Sequence, residues 1–582
     1  MIRVKDLSFT YPGAQLPSLD HINLEIEAGD FLAVIGNNGS GKSTLCKALN
    51  GLIPHFFAGD YSGTVEVCGL NTAKQDISKL AEKVGYVYQD FENQIVRPTV
   101  LDDASFACLN YAMPDFRERG LQALKMTGLD KRAEDFIWQL SGGQKHLLAL
   151  AGMVSLSPEI LILDEPIAQL DPRHARSIYE TLKDLNKVYG KTIIVIEHHT
   201  DFIAEYCRHV VMLKEGRALW KLDTGEALNR VEELECCSIF PPQVTQAAKY
   251  LRDKKVIAAD SVLPVNMEEA IELFSALPVN DKKPVMPRIK EQETYGPLRS
   301  EDAERLSLSG SSHKKEVISF HQVSVEYRSV KGKNRTVFHG LNCRIYKGEK
   351  VALIGSNGAG KSTMMRLITG LVKPVEGTVS LYGESVRGQS AEAIAQKVSL
   401  VYQNPEEMFI RDSIRGDIEY AMKARRIPQY EQRTEELLEL FQLKELAHRD
   451  GRLLSGGQMR RASLAIGVAL KPSILLLDEP TANLDIATRK QIMKTLEQLQ
   501  QEVETVMIAT HDMQLVTEWA DRILVLYEGY ILADGTREEI FNDRYVTEKV
   551  GIVPPEIYRA GKLLNAGMES FQVQDFVDYF VS

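Results

Sequence analysis

Short apolar runs followed by helical patterns recur along this chain. Phe31–Ile35 and Val351–Ile354 are two such runs, and each predicts a buried strand. Each is followed by apolar residues at helical spacing, over Leu45–Leu52 and Met364–Leu371, which predict helices. The run Ile160–Leu163 is wholly apolar, as is typical of a central parallel strand that is buried on both faces.

Strands and helices alternate through the rest of each half, and this alternation predicts a parallel α/β sheet. Further strands are predicted in the first half at Ile2–Leu7, His21–Ile26, Thr64–Val67, Val84–Tyr88, Ile193–Ile196 and Val210–Leu213, with a turn over Phe9–Gly13. Helices are predicted within 99–150 and over 173–189 and 200–207.

The second half repeats the order of the first half. Gln89 and Gln403 are separated by the same number of residues as Asp164 and Asp478. A period of this length indicates a duplicated domain rather than a solenoid. The second half also carries an insertion, Val330–Arg335, ahead of its first helix.

A shorter repeat lies beyond each core. Pro241–Leu251 matches Pro554–Leu564, and each segment leads to a final apolar helix, Met267–Phe274 or Val573–Phe580. Each half therefore ends in a small C-terminal appendage. The predicted domains are a first core at 1–235, its appendage at 236–277, a linker at 278–315, a second core at 316–548 and its appendage at 549–582. The linker combines prolines, mixed charges and the polar run Ser307–Ser312, so we expect it to be flexible and without a core of its own.

Composition narrows the class of protein. A chain of 582 residues with 44% hydrophobic and 26% charged residues is typical of a soluble globular protein of two to four domains. The net charge of −11 argues against a nucleic-acid binder held by bulk electrostatics. The seven cysteines form no CxxC pair, which favours reduced cytosolic thiols. The charged N-terminus predicts no signal peptide, and no apolar run is long enough to span a bilayer, so we expect any membrane role to be played through a partner.

Each half contains a G-x-x-x-x-G-K-S phosphate loop between its first apolar strand and the following helix. The glycines let backbone N–H groups face a polyanion, and the helix N-terminus adds partial positive charge. Lys42 and Lys361 supply a point charge for the β- and γ-phosphates, while Ser43 and Ser362 offer hydroxyls to Mg²⁺. The predicted ATP-binding residues of the loops are Gly36, Asn37, Asn38, Gly39, Ser40, Gly41, Lys42, Ser43 and Thr44, and Gly355, Ser356, Asn357, Gly358, Ala359, Gly360, Lys361, Ser362 and Thr363.

An acidic pair ends the central strand of each half. Asp164 and Asp478 can face the metal ion, directly or through water. Glu165 and Glu479 come next and are placed to orient or deprotonate the attacking water.

A glutamine and a histidine end two other strands of each half. Gln89 and Gln403 can reach Mg²⁺ or the water, and His198 and His511 can hydrogen-bond a γ-phosphate. A single such residue is more often structural. Their repetition at matching positions favours a functional role, so all of them are counted as catalytic candidates.

A Ser-Gly-Gly-Gln segment opens a helix in each half. The serines can cap the helix, and the glycines allow close backbone approach to phosphate. The residues are Ser141, Gly142, Gly143 and Gln144, and Ser455, Gly456, Gly457 and Gln458. Tyr11 and Tyr327 precede the phosphate loops and are candidates for stacking on adenine.

The order of these motifs resembles that of the ATP-binding-cassette (ABC) ATPases over both halves. It runs Walker A, Gln loop, LSGGQ signature, Walker B with its glutamate, D-loop and switch histidine; the D-loops are Gln169-Leu170-Asp171 and Asn483-Leu484-Asp485. The resemblance implies two tandem P-loop NTPase domains of the α/β class, each with an α-helical subdomain. It also implies head-to-tail ATP sites, in which Lys42 is joined by Ser455–Gln458 and Lys361 by Ser141–Gln144. The fused chain would thus be a pseudo-dimer within one molecule, with ATP and Mg²⁺ as ligands.

The sequence departs from the family pattern at a few positions. Gln169 replaces the usual Asn of the D-loop. Lys145-His146 follows the first signature in place of the more usual Gln-Arg, whereas Met459-Arg460-Arg461 follows the second. Both halves retain the lysine, signature, acidic pair and histidine, so two hydrolytic sites are expected.

Within that family, the chain is most similar to energy-coupling-factor (ECF) importer ATPases in a fused, duplicated form. The resemblance rests on Phe91–Val96, on Asn50–Pro54 and on the paired Pro-Pro appendages, whereas Pro405–Ile410 departs from the pattern in the second half. It implies an integral membrane coupling subunit that docks after Gln89 and Gln403. It further implies a small membrane protein that binds a vitamin or metal ion, and a peripheral location at the cytoplasmic face of the cell membrane.

Two alternatives stay open at this stage. An ABC-F-like translation factor also has two cassettes, but its linker is typically long, helical and basic, and this linker contains prolines and mixed charge. A fused ATPase of a sugar or peptide importer is the other, and the appendages count against it. The sequence does not identify the transported solute, because in importers another polypeptide selects it.

Overall fold

The computed structural model of this chain describes residues 1–167, 170–279, 315–327, 335–482, 484, 486–499, 502–564 and 568–581. The chain forms two compact units. Unit 1 is Met1–Val285 together with Glu556–Ser582, and unit 2 is Met286–Pro555. The predicted linker 278–315, the insertion Val330–Arg335 and the D-loop residues Gln169, Asn483 and Asp485 lie wholly or mostly outside the described residues.

The strands of unit 1 form two sheets. They are β1 Ile2–Thr10, β2 Leu19–Ile26, β3 Phe31–Gly36, β4 Asp60–Val67, β5 Leu70–Asn71, β6 Val84–Val87, β7 Ile160–Asp164, β8 Thr192–Ile196, β9 His209–Lys214 and β10 Arg217–Asp223. The six-stranded sheet has the order β10-β9-β3-β8-β7-β6 and is parallel except for β10. The four-stranded antiparallel sheet has the order β2-β1-β4-β5.

The antiparallel sheet is a feature that the predicted single parallel sheet did not contain. In β1 and β2 buried and exposed residues nearly alternate, because one face packs on the core and the other meets solvent. The strands β3 and β7 are buried throughout. Leu32 and Val34 of β3 face the antiparallel sheet, whereas Ala33 and Ile35 face the helices on the other side. The six-stranded sheet thus packs against a hydrophobic core on each of its faces, which accounts for its continuous apolar runs.

The helices of unit 1 lie on both faces of the parallel sheet: α1 and α2 pack into the core shared with the antiparallel sheet, whereas most of the others cover the opposite face, where some build a helical subdomain. They are α1 Lys42–Leu49, α2 Leu52–His55, α3 Ile77–Ala81, α4 Val100–Ala104, α5 Phe106–Asn110, α6 Phe116–Met126, α7 Gly142–Val154, α8 Pro172–Lys187, α9 Thr200–Tyr206, α10 Thr224–Asn229, α11 Val231–Cys236, α12 Gln243–Asp253 and α13 Met267–Ser275. Helices α4, α6 and α7 pack against one another and contribute to the core that includes Val87 and Leu163.

Unit 2 repeats this architecture. Its strands are β11 Glu316–Tyr327, β12 Arg335–Tyr346, β13 Lys350–Gly355, β14 Glu376–Leu381, β15 Glu384–Ser385, β16 Val398–Val401, β17 Ile474–Asp478, β18 Thr505–Ala509, β19 Arg522–Tyr527 and β20 Tyr530–Gly535. They form sheets of order β12-β11-β14-β15 and β16-β17-β18-β13-β19-β20. Its helices are α14 Lys361–Ile368, α15 Ala391–Lys397, α16 Ile414–Ala424, α17 Tyr430–Leu440, α18 Gly456–Val468, α19 Ile486–Leu499, α20 Met513–Trp519, α21 Arg537–Asn542 and α22 Arg544–Val550.

The two appendages share one hydrophobic core within unit 1. The last helices of the chain, α23 Glu556–Leu564 and α24 Val573–Val577, pack with α12 and α13. The ring of Phe274 lies 5.2 Å from that of Phe576. The chain therefore returns to unit 1 at Glu556, after unit 2 is complete.

The first residues of α12 and α23 cap each other reciprocally. The side-chain Oε1 of Gln243 accepts a hydrogen bond from the backbone N–H of Ile557 at 3.0 Å. The carboxylate Oε2 of Glu556 accepts one from the N–H of Val244 at 3.2 Å. Each bond satisfies a backbone donor that the start of a helix leaves without an intrahelical partner.

Among the described residues, no helix combines the length and apolar character needed to cross a bilayer.

Candidate functional site

The first phosphate loop closes around its own lysine. Lys42 is buried, and its Nζ donates to the carbonyl oxygens of Gly36 at 2.8 Å and Asn37 at 2.9 Å. Gly41 has φ +97°, and a Cβ there would lie 2.4 Å from the carbonyl oxygen of Ser18, so this position requires glycine. The loop leads directly into helix α1, so the backbone N–H groups of the loop lie at the N-terminus of that helix. Helix N-termini are sites where anions bind.

The second phosphate loop has the same backbone and one additional contact. Lys361 Nζ donates to Gly355 O at 2.8 Å and to Ser356 O at 3.4 Å. It also lies 3.0 Å from Nε2 of His511, which is in turn 2.8 Å from Oδ1 of Asn357. The second switch histidine therefore contacts its own phosphate loop, where a γ-phosphate would sit.

In the first half, the acidic pair forms a connected network. Glu165 accepts from Nε2 of Gln89 at 2.7 Å and lies 3.1 Å from Nε2 of His198. Burial opposes its ionisation, but His198, Lys42 and Gln89 together hold the pKa of Glu165 below its ordinary value. The structure thus brings the predicted base, glutamine and histidine of this half into direct contact.

In the second half, the same residue types make different contacts. Glu479 accepts from the backbone N–H of His511 at 3.3 Å, and its Oε1 lies 3.4 Å from that histidine's Nε2. Burial raises the pKa of Glu479 to about 7, and Lys361 opposes the shift. Gln403 is exposed, and the described contacts do not join it to the glutamate.

The serine and the aspartate among the predicted metal ligands of each half lie together. Asp164 is hydrogen-bonded to Ser43, and Asp478 to Ser362. Burial raises the pKa of both aspartates, and the serine bonds oppose the shift. A hydroxyl, a carboxylate and a nearby amide oxygen are hard oxygen ligands, which fit Mg²⁺. The residues that would hold it are Ser43, Gln89 and Asp164, and Ser362, Gln403 and Asp478.

Both signature segments begin a helix as predicted. Ser141 Oγ accepts from the N–H of Gln144 at 3.3 Å, and Gln144 Oε1 accepts from the N–H of Ser141 at 3.0 Å. Gln458 Oε1 accepts from the N–H of Ser455 at 3.2 Å. These are capping boxes, so the first turn of each helix presents organised backbone donors.

The two candidate adenine-stacking residues occupy equivalent positions. The hydroxyl of Tyr11 lies 3.5 Å from Oγ1 of Thr44, and that of Tyr327 lies 3.4 Å from Oγ1 of Thr363. Tyr327 is farther from its loop in sequence, yet the fold brings it as close as Tyr11. Of the first D-loop, Asp171 is described and caps α8 through the N–H of His174 at 3.1 Å.

Sequence reasoning assigned no site role to two residues that contact predicted site residues. The hydroxyl of Tyr86 donates to Oδ2 of Asp164 at 3.0 Å, whereas Leu400 occupies the matching position of the second half. Arg460 donates to the carbonyl oxygens of Tyr402 and Gln403 at 2.9 and 2.7 Å. The available signal was the difference between the aligned halves at these positions.

The family comparison agrees with this geometry. The family model described as "ABC transporter" matches residues 19–168 and 338–482, one match in each unit. The chain belongs to the ABC transporter family. Its duplicated cassettes are ATP-binding domains of that family, so the protein is an ATPase that serves as the motor of an ABC transporter.

Relatives named as ABC transporter ATP-binding proteins match almost the whole chain. One from Methanosarcina acetivorans is 30% identical over 99% of this chain and 91% of its own length. One from Vibrio vulnificus is 30% identical over 99% of this chain and 97% of its own. Among solved structures, CbiO1 from Clostridium perfringens, described as part of the ABC transporter complex cbiONQ, is 33% identical, with a TM-score of 0.36, over 40% of this chain and 94% of its own. The cassette MJ0796 bound to ADP and Pi is 28% identical, with a TM-score of 0.35, over 38% of this chain and 99% of its own.

Proposed function

We propose that this ABC ATPase drives an ECF-type importer of a small solute, such as a vitamin, a vitamin precursor or a metal ion. The observation that carries the proposal is the joint helical core of the two Pro-Pro appendages, with Gln243 and Glu556 capping each other's helices. The segment Phe91–Val96, which resembles ECF ATPases, adds to it. The partners would be an integral membrane coupling subunit and a small solute-binding membrane protein, with the ATPase peripheral to the membrane.

Each half carries the groups needed for ATP hydrolysis. Lys42 and Lys361 bind the phosphates, and Glu165 and Glu479 accept a proton from the attacking water. When bound, Mg²⁺ would offset negative charge on the phosphate oxygens. In the first half Gln89 and His198 hold Glu165 in its carboxylate form, which is the form that accepts the proton.

From the family resemblance we further propose that each ATP is completed by the other cassette's signature. ATP would then bind the closed pair of cassettes more tightly than the open pair, so ATP binding would drive closure. Hydrolysis would allow the pair to reopen. A size measurement of the Glu165→Gln, Glu479→Gln double variant with ATP tests this. One chain should suffice for both sites, and an obligate dimer of chains would contradict the proposal.

Copurification from native membranes tests the transport assignment. The double variant, tagged and saturated with ATP, should recover an integral coupling subunit and a small membrane protein, identified by mass spectrometry together with any bound solute. The same variant with Lys42 and Lys361 changed to Ala serves as the control that does not retain ATP. Recovery of an exporter-type permease, or of ribosomes at low salt, would overturn the assignment.

A further inference from the structure

The loops that carry Gln89 and Gln403 are held in two different ways. In the first cassette the support comes from within the loop. Gln94 donates from Nε2 to the carbonyl of Tyr86 at 3.0 Å and accepts from the N–H of Tyr88 at 3.0 Å. These bonds fix both sides of the strand end just before Gln89. In the second cassette Met408 occupies the matching position and has no amide to offer.

In the second cassette the support comes from the signature helix α18. Arg460 is 3% exposed and donates to the carbonyls of Tyr402 and Gln403 through its two terminal nitrogens. A planar guanidinium can make two such bonds in a fixed geometry. The backbone of Gln403 is therefore tied to the helix that begins directly after Ser455.

The matching residue in the first cassette, His146, makes no such bond. It is 2% exposed and stacks on Phe91 with the ring centroids 3.8 Å apart. Neither ring nitrogen has a hydrogen-bond partner among the described residues. Besides this stacking, the ion pair between Lys145 and Glu92 at 2.8 Å joins α7 to the loop, and the Glu92 carboxylate is more than half exposed. Exposed pairs of this kind contribute little to rigidity or stability.

The charge near the acidic pair differs as well. Burial lowers the pKa of Arg460 to about 10, with Glu479 and Asp478 opposing the shift, so its guanidinium is charged at pH 7. Burial also lowers the pKa of His146 to about 4, so its ring is neutral at pH 7. The second cassette thus has a buried cation where the first has a neutral ring.

We propose that Arg460 is a positioning residue that holds Gln403 in place for Mg²⁺ and couples its backbone to the second signature helix through two hydrogen bonds that His146 does not make in the first cassette. The proposal rests on the proposed metal role of Gln403. It predicts that the two ATP sites respond differently to loss of the residue that follows the signature.

The test is the Mg²⁺ concentration for half-maximal ATPase activity, at saturating ATP, with Glu165→Gln silencing the first site. Arg460→His should raise that concentration about three- to tenfold, since two hydrogen bonds to the loop are lost. Arg460→Lys should recover part of the shift, because an ammonium can still donate to one carbonyl. The matched control is Arg461→His on the same helix, whose guanidinium donates to the carbonyls of Phe441 and Gln442 instead.

Hydrogen exchange of the segment 398–410, without nucleotide, provides a readout that does not depend on catalysis. Arg460→His should speed exchange there, and Arg461→His should not. Equal shifts in both variants, or no shift with Arg460→His, would overturn the proposal. If the Glu165→Gln background hydrolyses no ATP, the claim of two hydrolytic sites fails, and hydrogen exchange alone still decides the role of Arg460.

Discussion

The two cassettes contain the same candidate catalytic residues in different hydrogen-bond networks. In the first, His198 contacts Glu165, the proposed base, and the pKa of Glu165 is below its ordinary value. In the second, the ring of His511 lies closest to Asn357 and Lys361, and burial raises the pKa of Glu479 to about 7. A shared motif therefore does not give the two sites the same protonation behaviour.

This difference follows from the choice of partners rather than from the backbone. Both glutamates have positive φ, 52° at Glu165 and 48° at Glu479, and each donates its N–H to the neighbouring strand. Glu165 accepts hydrogen bonds from Gln89 and from the ring of His198. The more deeply buried Glu479 instead accepts from the backbone N–H of His511 and from Thr510. The comparison teaches that small side-chain rearrangements decide whether a buried base is charged.

The largest effect should come from removing both catalytic glutamates. The Glu165→Gln, Glu479→Gln double variant should lose about 10²-fold or more of its steady-state phosphate release, because each site loses its proton acceptor. Each single change should also reduce turnover strongly while leaving ATP binding intact, as measured with a fluorescent nucleotide. Near-normal turnover in either single variant would refute two-site hydrolysis.

Replacing His198 or His511 should reveal a second functional difference between the two sites. In single-site backgrounds, His198→Ala and His511→Ala should each lower kcat by about tenfold, at the lower end of acid–base contributions. The acid limb of the pH profile should move to higher pH only for His198→Ala, because that change removes a contact that lowers the pKa of Glu165. Equal movement in both variants would remove the distinction drawn between the two networks.

Stability should depend on pH through Glu556 in the shared appendage core. Burial, with Asp201 nearby, raises its pKa from 4.5 to about 7, while the N–H of Val244 and the charge of Arg559 oppose the shift. The neutral acid is favoured in the fold, so stability falls as pH rises from 4.5 to 7 and stays low above. The cost at pH 8 is at most about 3 kcal/mol.

Glu556→Gln should therefore raise the melting temperature at pH 8 and change it little at pH 4.5. The natural control is Gln243→Glu, which places a second acid at the matching cap and should lower the melting temperature at pH 8. A Glu556→Gln variant that is less stable than the wild type at pH 8 would show that the carboxylate is favoured in the fold.

The smallest effect is expected from Tyr86, which is present in only one cassette. Tyr86→Phe removes the hydrogen bond to Asp164, worth about 1 kcal/mol, and should change the Mg²⁺ requirement of the first site several-fold. The measurement is ATPase activity against Mg²⁺ in the Glu479→Gln background. Tyr86→Phe in the Glu165→Gln background should leave the Mg²⁺ requirement unchanged. The remaining activity then comes from the second site, where Leu400 occupies the matching position.

Much of the fold was predictable because its signals are local. The run Ile160–Leu163 predicted a strand buried on both faces, and β7 lies between β8 and β6 with a core on either face of the sheet. The separate antiparallel sheet was not predicted, since the pairing of β1 with β4 joins distant segments and leaves no local pattern beyond alternation. Ser141 could be predicted as a cap because its partner, Gln144, is three residues away.

Local sequence patterns predict the two phosphate loops, the acidic pairs, the duplication and the residues of each candidate site. Three contacts emerge from the folded structure alone: His511 lies against Lys361, Arg460 donates to the backbone of Gln403, and Gln243 and Glu556 cap each other's helices. The physical reason is the range of the interactions. A motif fixes backbone conformation over a few residues, whereas a hydrogen bond between elements far apart in sequence depends on packing and rotamers that no short pattern encodes.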